Sequence, residues 1–123
     1  MKPCLLAISI LALSAPAAFA ASSTCRVPTI GTLDNQTVTG YMFVTSGRRC
    51  SIIVGRSRGP TFSAALVSNA KNGTVTVSGG RVTYASRPGF VGDDAFTYAR
   101  HGLNRVNEPV VRTVNVAVKV AAK

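Results

Sequence analysis

The chain has 123 residues, 14 Lys+Arg against 4 Asp+Glu, one His, three Cys and no Trp, for a formal net charge of +10. That length suits one domain of ordinary size. With 46% apolar and 15% charged residues the composition excludes an intrinsically disordered chain despite its charge. Four carboxylates and a single imidazole leave little material for acid–base catalysis or a metal site.

Residues 1–20 read as an address. Lys2 gives a short positive start, Leu5 to Leu13 form an apolar run interrupted only by Ser9, and Ala18-Phe19-Ala20 offers small residues at the two positions a signal peptidase reads. A spanning helix needs about 20 apolar residues, and Pro16 and the small-residue tail argue against one. Cleavage after Ala20 is therefore expected, with no later membrane span. A lipid-attachment cysteine is the weaker alternative, because Ser22-Ser23-Thr24 before Cys25 lacks the leucine such a site uses. Cleavage removes Cys4 and leaves Cys25 and Cys50, an even pair that in an exported protein is most simply a disulfide. Residues 21–35 then read as a lead segment, and 36–123 as the folded domain.

From Val27 onward the apolar spacing is that of strands. Gln36 to Val44, Cys50 to Val54 and Thr61 to Val67 are candidate strands, with Ser57-Arg58-Gly59-Pro60 between the last two. Residues 64–70 carry Ala and Leu, but their β-branched and polar neighbours make a helix there the weaker reading. Val75 and Val77, then Val82 and Tyr84, alternate with small or polar residues around Ser78-Gly79-Gly80, so 74–85 reads as a β-hairpin. Arg87-Pro88-Gly89 and Gly92-Asp93-Asp94 read as turns. Phe96 and Tyr98 share one face of the next strand, and Val114, Val116, Val118 and Val120 one face of the last. About seven short strands with frequent turns predict an all-β immunoglobulin-like Greek-key β-sandwich.

The stretch from Gly73 to Tyr98 resembles the C-terminal half of bacterial immunoglobulin-like, cadherin-like domains of the tandem surface-repeat type, here in single copy. The matching positions are Gly73, Val75, Val82, Tyr84, Pro88, Gly89, Phe90, Gly92, Asp94, Phe96 and Tyr98. The resemblance covers about 50 residues, through the valine-rich last strand, and is weak from 25 to 60. It implies a bacterial surface or envelope setting. Independently of it, Phe90 after a Pro-Gly turn can cap the open end of a sandwich, and Gly92 can take a backbone angle costly to other residues. Asp94 can accept hydrogen bonds from turn amides, and Phe96 and Tyr98 can fill the core. Modules of this kind often bind calcium where domains meet, but calcium takes about six to eight oxygens, and only Asp34, Asp93, Asp94 and Glu108 carry carboxylates here. No metal or cofactor is expected.

His101, in Arg100-His101-Gly102, reads as a surface turn rather than a general base, since no serine lies in a G-x-S-x-G setting. Asp93 and Asp94 are neighbours and on an extended chain point apart, so they do not form a facing carboxylate pair. No catalytic residue is expected, and the chain reads as a non-enzyme.

Charge is the remaining signal. Most of the cations are arginines, whose planar fork suits phosphate, sulfate and carboxylate. Arg48, Arg49, Arg56 and Arg58 crowd the Cys50 strand as a candidate polyanion-binding loop, while Arg100, Arg105 and Arg112 flank a second loop. Nucleic acid is not the expected polyanion, because the aromatics read as core and not as a stacking platform. The expectation is a secreted or periplasmic protein that is a structural or interaction module of the bacterial envelope. Its partner would be an envelope protein; the alternatives are a basic binder of anionic polysaccharide or lipid and an inhibitor that docks a protein.

Overall fold

A computed structural model of the chain describes residues 24–54 and 61–123. The expected signal segment, Arg56 and Arg58 lie outside the described residues. Within them the chain forms strands and turns and no helix.

Eight strands are present: β1 (Cys25–Arg26), β2 (Thr37–Thr45), β3 (Arg49–Ile53), β4 (Thr61–Ser68), β5 (Gly73–Ser78), β6 (Arg81–Ser86), β7 (Gly92–Leu103) and β8 (Pro109–Ala121). They divide into a five-stranded sheet, β1-β2-β8-β7-β4, and a three-stranded sheet, β3-β6-β5. Every neighbouring pair is antiparallel except β2 and β8, which run parallel from Thr37↔Thr113 to Thr45↔Ala121.

The alternation in the sequence is the alternation of the faces. Val114, Val116, Val118 and Val120 of β8 are all buried, as are Phe96 and Tyr98 of β7 and Met42 and Val44 of β2. Across from them lie Cys50 and Ile52 of β3, Val75 of β5 and Val82 and Tyr84 of β6, in one continuous apolar cluster. Each fully buried valine contributes roughly 1.5–3 kcal/mol relative to exposure, so the two faces are held mainly by this shared interior. The rings of Tyr84 and Phe96 bridge the sheets, stacked with centroids 5.9 Å apart.

The hairpin expected over 74–85 is present, with Ser78 opposite Arg81. Its loop is Gly79-Gly80, with φ of +56° and +79°. Positive angles at both central residues are what a tight hairpin turn of matching twist requires, and glycine adopts them at no steric cost.

Three local expectations are corrected. Gly92-Asp93-Asp94 is not a turn but the start of β7, because Asp93 and Asp94 pair with Lys119 and Val118 of β8. His101 does not sit at a turn either: β7 continues to Leu103, and His101 pairs with Val111 and Ser63 on the exposed face. The reversal comes later, where Asn104 Oδ1 accepts hydrogen bonds from the Val106 and Glu108 amides at 3.0 and 2.9 Å. Arg100 and Arg112 stand on either side of the β7–β8 loop, but their side chains are inside and not on the surface.

The lead segment is packed into the same body. β1 pairs with β2, Val27 and Ile30 lie against the core, and Thr32 is buried. Gly40 makes room for this: a Cβ there would meet the Ile30 side chain at 2.7 Å.

Candidate functional site

Asp94 is the most connected polar side chain among the described residues. Its place in β7 turns it inward beside Phe96 and Tyr98, whereas Asp93 faces outward and meets Lys119 Nζ at 3.0 Å. Asp94 Oδ1 accepts from the amides of Lys71 and Ala95 at 3.0 and 2.9 Å. Oδ2 accepts from the Asn72 amide at 3.0 Å and from the Tyr84 hydroxyl at 2.9 Å. The carboxylate thus receives turn amides as the sequence suggested, but from the β4–β5 turn, far away in sequence. It joins that turn to β6 and β7. Burial, then the hydrogen bond to Asp94 and its charge, push the Tyr84 phenol well above its ordinary value. With both oxygens taken by donors, Asp94 is a brace between elements.

The rest of the motif surrounds this brace. Gly92 has φ +139°, an angle that strains any residue with a side chain. The Phe90 ring packs against the core beside it, with the Arg87 guanidinium 5.8 Å from the ring centroid. Phe96 and Tyr98 are each 2% exposed, and burial pushes the Tyr98 phenol up to about 12.

Cys25 and Cys50 form the expected disulfide, with Cα atoms 5.3 Å apart. It ties β1 of the larger sheet to β3 of the smaller one. Between the two cysteines in the chain lies the β2–β3 turn, which carries Arg48, and Arg49 opens β3 directly after it; both are exposed. The turn is well held: Gly47 has φ +80°, its amide donates to Ser86 Oγ at 2.8 Å, and the Arg48 amide donates to the Thr45 carbonyl at 3.0 Å. A shallow hollow of about 410 Å³ is lined by Thr24, Cys25, Gly47, Arg48 and Arg49. Lys123 comes close to Gly47. The structure therefore brings Arg48 and Arg49 to one basic end of the molecule, together with Lys123. β3 then runs away from that end, over roughly 13 Å at the usual strand rise.

At the opposite end of β3 lie two arginines whose burial the charge pattern of the sequence did not suggest. Arg100 and Arg112 are direct cross-strand partners on β7 and β8, and they are 3% and 1% exposed. Arg112 Nε and Nη2 both reach Asp34 Oδ1 at 2.8 Å, and Nη2 also approaches the Leu103 carbonyl at 3.3 Å. Burial and the neighbouring Arg112 charge lower the Arg100 pKa from its ordinary value. A signal for both was present: Arg100 continues the inward series Asp94, Phe96, Tyr98, and Arg112 precedes the inward series Val114 to Val120.

His101 is exposed on β7, and among the described residues no group of three or more His, Cys, Asp or Glu is placed to hold a metal ion. No helix among them is long and apolar enough to cross a membrane.

Fold and side chains together define an all-β, disulfide-linked protein of two facing sheets. No family model matches the chain, and no curated protein matches it. Among solved structures it is similar to a sialyltransferase from Photobacterium damsela, at 13% identity and a TM-score of 0.42, over 71% of this chain and 18% of that one. A likeness of that size says nothing about what this chain does.

Proposed function

We propose that the chain is an exported, non-catalytic interaction module of the bacterial cell envelope, built as an immunoglobulin-like Greek-key sandwich. The observation that carries the reading is the use made of the acids. Asp34 pairs with Arg112, Asp93 with Lys119, Asp94 braces the β4–β5 turn, and Glu108 accepts from Asn104 Nδ2 at 3.0 Å. These four are all the Asp and Glu the chain has. Each serves the fold, which leaves recognition as the role for the surface. The Cys25–Cys50 bond favours an oxidising compartment. The order β2-β8-β7-β4 against β3-β6-β5, with β2 parallel to β8, supports the Greek-key assignment.

The test is retention of an envelope component by the tagged, exported chain. A periplasmic or surface extract passed over it at low salt should yield one protein in fixed stoichiometry, displaced by excess free chain. Recovery of the chain in the cytoplasm with reduced cysteines, or no stoichiometric partner, contradicts the proposal.

One observation favours a second reading, in which the partner is an anionic glycan or lipid headgroup. Arg48 and Arg49 are exposed on a rigid turn beside Lys123. This reading expects retention on heparin or lipopolysaccharide that falls with salt and is lost in the Arg48→Glu/Arg49→Glu variant. Retention that ignores salt counts against it.

A further inference from the structure

At the basic end of the molecule a second hollow, of about 370 Å³, adjoins the one lined by Arg48 and Arg49, and Gly47 belongs to both. That volume is within the range of about 300–1,000 Å³ for small-ligand sites. It forms where three pieces of chain meet: Ser46 and Gly47 of the β2–β3 turn, Pro88 and Val91 between β6 and β7, and Ala122 and Lys123 after β8. Hydrogen bonds hold these pieces. The Ser46 amide donates to the Ala121 carbonyl at 2.8 Å, the Gly47 amide to Ser86 Oγ at 2.8 Å, and the Phe90 amide to the Arg87 carbonyl at 3.1 Å. The walls are therefore set before a ligand arrives, which lowers the cost of binding.

Ser46 is the unusual member of this lining. It is 4% exposed, and its Oγ is buried with no hydrogen-bond partner. A hydroxyl so placed costs stability until something bonds to it. The remaining walls restrict what that can be. Pro88, Val91 and Ala122 present hydrocarbon, and Val91 is 54% exposed. Lys123 adds a cation, and beyond Gly47 positive charge continues at Arg48 and Arg49. Among the described residues that line the two hollows there is no Asp or Glu. A pyranose ring carrying a carboxylate meets all three conditions. Its C–H face suits the apolar wall, a ring hydroxyl can bond to Ser46 Oγ, and its carboxylate suits the cations. A bare phosphate meets only the last.

We infer, resting on the reading in which the basic turn holds an anionic glycan, that this hollow seats one acidic sugar unit, a uronate, of that glycan. The sugar chain then continues over Gly47 toward Arg48 and Arg49. Ser46 and the apolar wall are what separate a sugar acid from any other polyanion at this end.

The test is NMR titration of the exported chain with methyl glucuronide, methyl glucoside and inorganic phosphate as separate probes, alongside retention on heparin. Methyl glucuronide is expected to shift resonances of Ser46, Gly47, Val91 and Ala122 in a saturable manner. Methyl glucoside, which lacks the carboxylate, and phosphate, which lacks the ring, should each bind about ten-fold more weakly or worse. Ser46→Ala should weaken glucuronide binding about three- to ten-fold. In the unliganded chain the same substitution should leave the thermal midpoint unchanged or raise it, because it removes an unpaired hydroxyl; a hydroxyl that served the fold would lower it on removal. Salt-dependent retention on heparin without a saturable glucuronide shift at the hollow overturns the sugar subsite and leaves the reading of the basic turn standing. No retention on heparin by the unmodified chain removes both. Equal binding of glucoside, equal binding of phosphate, or a Ser46→Ala chain that melts lower or binds glucuronide as before each overturn the subsite.

Discussion

The Tyr84 hydroxyl donates to Asp94 Oδ2 at 2.9 Å, and through this bond the smaller sheet is fastened to the start of strand β7 in the larger one. The same carboxylate takes the Lys71 and Asn72 amides. Asp94→Ala strands those donors, two of them backbone groups, and should cost about 3–4 kcal/mol in urea unfolding. Tyr84→Phe removes a single donor and leaves the carboxylate its amides, so about 1 kcal/mol is expected. Equal costs for the two variants would mean that the turn amides do not depend on Asp94.

The buried tyrosines set the alkaline limit of the fold. Tyr84 and Tyr98 both ionise above the ordinary phenol value of 10.0 in the native state, Tyr98 at about 12. In the unfolded chain they ionise near the ordinary value, so between the two the unfolded state has lost more protons than the native one. Stability therefore falls as pH rises from about 10 upward and is unaffected by these groups below it. Phenolate absorbance from the buried pair should appear together with the unfolding transition. Titration of Tyr84 and Tyr98 near pH 10 with the fold intact contradicts this.

The Cys25–Cys50 bond closes a loop across a sequence separation of 25. In the chain-entropy account a loop of that size stabilises by about 3–4 kcal/mol. The Cys25→Ala/Cys50→Ala variant should lose that amount in denaturant unfolding, and the exported protein, denatured without reductant, should show no thiol at these two positions.

Arg112 and Asp34 form an unequal pair, with side-chain exposures of 2% and 39%. Asp34→Asn leaves the buried guanidinium without its counter-charge and should cost about 1–2 kcal/mol, the exposure of Asp34 reducing what a fully buried pair would lose. Arg112→Met replaces the buried charge with hydrocarbon of similar length and should cost less than Asp34→Asn. The reverse order in thermal unfolding would show that Arg112 contributes chiefly through its own contacts.

Strands, the glycine hairpin and the core valines were legible in the sequence because each is local: alternation of period two, and a loop whose glycines announce it. Cys25–Cys50 was legible from the count of cysteines. Asp94 was legible as an acceptor of turn amides, but its partners in the β4–β5 turn and Tyr84 were not, since they depend on how two sheets meet. Gly92-Asp93-Asp94 misled because turn-forming residue types here open a strand, held by pairing with β8. The arginines misled for a different reason. Charge density along the chain treats every arginine as a surface group, whereas strand parity puts Arg100 and Arg112 inside. The hollow beside Ser46 has no local signature at all, because the two turns and the residues after β8 that line it meet only in the folded chain.

Two sheets close on one interior, and the contact that reports this most directly is between the rings of Tyr84 and Phe96, one from each sheet, with centroids 5.9 Å apart. Nuclear Overhauser measurements on the exported protein, with the aromatic rings assigned, should give strong cross-peaks between these two rings, alongside cross-strand contacts of Phe96 with Val116. Absence of the Tyr84–Phe96 cross-peaks, with either ring accessible to a soluble paramagnetic probe, would contradict it.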